Sequence, residues 1–118
     1  MNNILNNTYR DKAQKRDNRV RFQGEIHKEP RVGRSFGEIK GPVVNLFLKG
    51  DTKNGHVFIP VRVAGKPAEL LVEQVYDWKV GDEVMVEGEI DWESYQKDGK
   101  KNYITRINAF SVYRMETF

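Results

Sequence analysis

The chain has 118 residues, 38% of them hydrophobic and 31% charged, which suits one soluble domain built round a single core. It contains no cysteine, so disulfides, zinc–thiolate sites and cysteine nucleophiles are excluded and a reducing compartment is implied; no run approaches the roughly 20 apolar residues of a membrane span, and the cytoplasm is the expected location. The net charge of +3 is too small to name a partner, but it is unevenly spread: residues 1–35 carry nine Lys/Arg against four Asp/Glu, residues 36–92 six against ten, and residues 93–118 five against three, so two basic ends could converge on one surface.

Residues 1–18 are rich in Asn, Lys, Arg and Asp, bury little, and are expected to form a mobile arm. From Arg19 the stretch R-V-R-F-Q-G-E-I-H alternates, with Val20, Phe22, Gly24 and Ile26 on one face, and predicts a half-buried strand. Glu29 to Gly41, with three glycines and a proline among Arg31, Arg34, Phe36 and Lys40, is expected to be a long basic loop. A second strand, P-V-V-N-L-F-L-K, runs from Pro42 to Lys49 and places Leu46 in the core.

After the turn-rich G-D-T-K-N-G, a third strand runs from His56 to Ala64. Val57, Ile59, Val61 and Val63 are expected inside, and Phe58, Pro60, Arg62 and Ala64 outside. Pro60 cannot donate to a ladder, so part of this strand should be an edge or a bulge. Pro67 opens a helical pattern in which Leu71, Val75 and Trp78 form an apolar stripe, ended by Gly81-Asp82. A fourth strand alternates from Glu83 to Trp92 and puts Trp92 at its last inward position, as a cap on the core. Asp98-Gly99 signals a two-residue hairpin, and a fifth strand returns from Asn102. Five strands, a helix between the third and fourth, and a long hairpin arm between the fourth and fifth describe an OB-fold barrel over residues 19–115, with a short end at 116–118.

No catalytic signature occurs: G-x-S-x-G, G-x-x-x-x-G-K and H-E-x-x-H are absent, and His27 and His56 lie on different strands. The reading is a non-enzyme without cofactor. Glu87, Glu89 and Asp91 share a strand face, but a solvated face explains them better than a metal. A barrel that holds a nucleic-acid single strand needs exposed aromatic rings for bases and cations for phosphates. Phe58 beside Arg62 meets this on the third strand; Tyr95 and Tyr103 with Lys97, Lys100 and Lys101 meet it on the arm. Arg31, Arg34, Phe36 and Lys40 are candidates for one wall of the groove, and Lys49 and Arg106 for further phosphate contacts.

Four stretches carry a resemblance to the bacterial and phage single-stranded DNA-binding proteins of OB fold: N-R-V-R-F-Q-G-E-I-H-K-E-P, G-P-V-V-N-L-F-L, V-F-I-P-V-R-V-A-G-K-P-A-E-L and G-D-E-V-M-V-E-G-E-I, in that order from Asn18 onward. The resemblance implies base stacking on Phe58 and Tyr95, with Tyr103 at the arm tyrosine. It also implies a homo-oligomer, dimer or tetramer, that acts on single-stranded DNA in replication, recombination or repair alongside the proteins of those processes. Ala64 stands where the family often has a stacking Phe, and Arg21 and Gln23 are polar where it often has apolar subunit contacts. An RNA-binding or primosomal accessory module of the same fold, or an OB-fold protein-interaction domain, is the alternative.

Overall fold

A computed structural model describes residues 16–35 and 41–116. Strands β1 (Val20–Ser35), β2 (Gly41–Thr52), β3 (Gly55–Ala64), β4 (Glu83–Lys97) and β5 (Lys100–Arg114) close in the order β1-β2-β3-β5-β4, which is the OB-fold barrel that the alternating pattern predicts. Helix α1 (Lys66–Leu71) and a 3-10 turn (Val75–Asp77) lie between β3 and β4.

β1 serves two neighbours because it bends. Its first half pairs with β4, from Val20 opposite Gly88 to Glu25 opposite Glu83, and its second half pairs with β2, from Glu25 opposite Lys49 to Ser35 opposite Gly41. Gly24 sits at the bend, where a Cβ would lie 2.8 Å from the Phe22 ring and 2.9 Å from the Lys49 carbonyl. The backbones can approach there only because no side chain intervenes. The segment expected as a loop from Glu29 is therefore strand as far as Ser35. Pro30 is accommodated because it falls in the register shift between Lys28 and Arg31, where no ladder bond is needed.

Asn18, the last residue of the expected arm, extends the β1–β4 pairing by one rung with its side chain. Its Nδ2 donates to the Ile90 carbonyl at 2.8 Å, and its Oδ1 accepts from the Ile90 N–H at 2.9 Å. The amide offers one donor and one acceptor, as a peptide unit would.

The inward residues Ile26, Val44, Leu48, Val61, Val84 and Val86 are at most 1% exposed. Each removes enough apolar surface from water to contribute about 1.5–3 kcal/mol. Gly65, at φ 70°, turns the chain out of β3, and its carbonyl accepts from Ala68 and Glu69 to start α1 with Pro67 in the first turn. The helix is shorter than its apolar pattern predicts, breaking after Leu71 into the 3-10 turn. The stripe nevertheless holds: Ala68, Leu71, Val75 and Trp78 are all buried in the core cluster.

The barrel closes through a short parallel seam in which Val61, Arg62 and Val63 of β3 face Ile107, Asn108 and Ala109 of β5. Pro60 lies just outside it, so its missing N–H leaves the seam intact. Beyond Gly88 on one side and Ile107 on the other, β4 and β5 run on alone as a two-stranded ribbon. It is closed by Lys97 opposite Lys100 around Asp98 (φ 54°) and Gly99 (φ 75°), the positive pair of a two-residue hairpin turn.

This corrects the expectation for Trp92. It keeps the inward parity of Val84 and Val86, but no strand stands opposite it, and it is 59% exposed. Val57 departs in the same way at the open start of β3, where it is 37% exposed.

Candidate nucleic-acid interface

Alternation along β2 sends Val44, Leu46 and Leu48 inward and leaves Asn45, Phe47 and Lys49 outside. On β3 the outward set is Phe58, Pro60 and Arg62, and the register places Lys49 opposite Phe58, Phe47 opposite Pro60 and Asn45 opposite Arg62. The result is an aromatic surface. The Phe47 and Phe58 rings stack with centroids 6.1 Å apart and planes 12° from parallel, and His27 of β1 closes on Phe58 at 4.8 Å. The Lys28 ammonium lies 4.8 Å from the Phe47 ring centroid. Phe58 remains 46% exposed, so its ring is open to a ligand.

The surface continues across the parallel seam. Arg62 neighbours Asn108, and Arg34, Asn45, Arg62 and Arg106 surround a shallow pocket with Glu93. Arg31, expected in a loop, faces Asn45 across the β1–β2 ladder. Arg106 is not a free cation. Its guanidinium is hydrogen-bonded to Glu93 and sits 3.7 Å from Asp91, with only 14% of the side chain exposed. Asp91 also accepts from Asn108 at 2.6 Å. One member of the acidic row thus anchors the base of the arm, and Arg106, an expected phosphate contact, is held between two carboxylates. A concavity beside this surface is walled by Gln23, Glu25, Asp51, His56 and Glu83, with three carboxylates, and Lys49 stands at its border with the Phe58 side.

On the arm, cross-strand register sorts the expected residues onto two faces. Tyr95 opposes Asn102 and Lys97 opposes Lys100, on the side of Glu93 and Arg106. Tyr103 opposes Ser94 and Lys101 opposes Gln96, on the other side, with Trp92. Tyr103 therefore packs on Trp92, edge-on at 5.3 Å, and not on Tyr95. Phe36 and Lys40 lie outside the described residues. The expected site residues do not include Phe47, His27 or Lys28, although the alternation that buries Leu46 and Leu48 already points Phe47 outward.

Strand order, closure and helix position define an OB-fold barrel whose outer face carries the Phe47–Phe58 pair. A model of the single-strand binding protein family matches residues 38–115, and the chain belongs to this family of non-enzymatic DNA-binding proteins. Among solved structures it is similar to a small single-stranded DNA-binding protein from Streptomyces coelicolor, at 17% identity over 82% of this chain and 93% of that one, with a TM-score of 0.61; at that identity the likeness is one of fold. Comparison with curated proteins gives no match. The resemblance carried by the four sequence stretches is thereby borne out at the level of family and fold. No helix among the described residues is long and apolar enough to cross a membrane.

Proposed function

We propose that the protein coats single-stranded DNA with little sequence preference, as a homo-oligomer in the cytoplasm, during replication, recombination or repair. The observation that carries this is the open Phe47–Phe58 stack flanked by Lys28, Lys49 and Arg62. Every base has a π-face, so the exposed Phe58 ring, with the half-buried Phe47 beside it, can hold unpaired bases of any sequence, at about 1–3 kcal/mol per stacked base. The flanking cations take the phosphates and release condensed counterions, which makes the affinity fall with salt. A duplex keeps its bases stacked on each other and presents none to these rings.

On this reading the barrel face and the Tyr95 side of the arm form one path, with Lys97 and Lys100 at its far end. The test is a titration of labelled oligo-dT by anisotropy at two salt concentrations, with duplex DNA and an RNA oligomer of equal length as competitors and light scattering for the assembly. Salt-insensitive binding, or equal affinity for duplex, would sink the proposal. A preference for RNA would move it to the RNA-binding alternative.

A further inference from the structure

We infer that the hairpin arm carries a second track for single-stranded DNA on its other face, built on Trp92 and Tyr103 and back to back with the Tyr95 face. The inference rests on the single-strand reading above and extends it to a surface that reading does not use.

Trp92 and Tyr103 are 59% and 61% exposed, and Ile90 below them is 50% exposed. Large rings on a two-stranded ribbon have no core to join, and their edge-to-face contact with each other still leaves both more than half exposed. Their neighbours indicate the occupant. Between Ile90 and Thr105 this face carries Ser94, Gln96 and Lys101 and no carboxylate, whereas the opposite face carries Asp91 and Glu93, both turned to Arg106. An aromatic pair set among uncharged polar groups and one cation complements a polyanion with exposed bases. An apolar protein surface would leave the polar groups and the ammonium unmatched. The Lys101 ammonium lies 5.9 Å from the Tyr103 centroid, close enough for the phosphate of a base stacked on that ring to meet it. A strand that fills the Tyr95 face and passes round the edge of the ribbon would engage both sides of the arm, and one chain would cover more nucleotides than its barrel alone.

The two tryptophans make the test specific. Trp78 is 6% exposed in the core and Trp92 is 59% exposed, so quenching of tryptophan emission by a stacked base reports Trp92. The full chain is titrated with dT oligomers while anisotropy of a labelled oligomer measures binding independently. An oligomer of about 16 nucleotides should quench the emission, and Trp92→Ala/Tyr103→Ala should weaken its binding roughly tenfold; for one of about six nucleotides the loss should be under about twofold, because the other face suffices. Trp92→Phe should abolish the quenching while binding of the long oligomer by anisotropy stays tighter than in the double alanine variant. Full binding by anisotropy with unchanged emission would overturn the second track and leave the first standing. So would wild-type affinity of the double variant for the long oligomer. A lost affinity that accompanies a fall in assembly mass by light scattering would make this face a contact between copies instead. Absence of any binding by anisotropy would remove the single-strand reading itself, and the second track with it.

Discussion

The Phe47 and Phe58 rings come from neighbouring strands, yet they lie 12° from parallel with centroids 6.1 Å apart. Phe58 is the exposed member of the pair, and Phe47 is half-buried with the Lys28 ammonium against its ring. Phe58→Ala and Phe47→Ala should each weaken oligo-dT binding by about 1–3 kcal/mol, and neither should change the slope of log affinity against log salt, since no charge is removed. Lys49→Gln should do the converse, lowering the slope by roughly one with a smaller loss at high salt. Anisotropy titrations at three or more salt concentrations separate the two effects.

Arg106 gives the opposite expectation. Because Glu93 and Asp91 already hold it, Arg106→Gln should leave the salt slope within error and lower stability by about 1 kcal/mol or less, since both carboxylates are part-exposed and Asp91 keeps its bond from Asn108. Glu93→Gln should free the guanidinium, tighten DNA binding at low salt and steepen the slope by about one. Thermal unfolding read beside the titrations decides, and a flatter slope in Arg106→Gln would show that the residue does meet phosphate.

The turn at the tip of the arm can be tuned separately. Asp98 and Gly99 both have positive φ, which Asn tolerates and β-branched residues do not. Asp98→Asn should preserve the hairpin, and by removing a carboxylate from among Lys97, Lys100 and Lys101 it should strengthen binding. Gly99→Val should strain the turn by about 1–3 kcal/mol and speed amide exchange along Lys97–Asn102, while the barrel melts as before.

The two tryptophans should also differ in stability. Trp78→Ala empties a core site and should cost about 3–5 kcal/mol, whereas Trp92→Ala, on the open ribbon, should stay within about 0.5 kcal/mol of wild type. Equal losses in denaturant melts would return Trp92 to the core.

That contrast shows where the sequence was legible. Period-2 alternation gives the barrel interior at Ile26, Leu46, Val61, Val63, Val84 and Val86, because it depends only on which side of a strand a residue takes. Where the opposing strand stops is set by chain crossings far apart in sequence, and alternation carries no trace of it; hence Trp92 was expected inside. The same limit applies to Glu29–Ser35. Pro30 and Gly33 are local breakers, and only the register with β2 shows that the breaks fall where a bulge absorbs them. Phe58 and Tyr95 can be placed on the surface from the sequence, because exposure at a known parity is a local property. Phe47 needed the cross-strand partner to complete the stack. Arg106 needed Glu93, which lies on the other strand of the arm, before it could be told from a free cation.

The parallel seam has a mechanical side. Only Val61–Val63 and Ile107–Ala109 join β3 to β5 there, a short zipper beside the long antiparallel ladders, so the barrel should breathe first along this line. Arg62 lies on one lip of it and Arg106 and Asn108 on the other, beside the proposed path of the strand. A bound strand that bridges those lips would act as a suture, and amide exchange at Val61 and Val63 would slow on binding even though neither side chain touches DNA. The most weakly closed line of the barrel would then be the one its ligand holds shut.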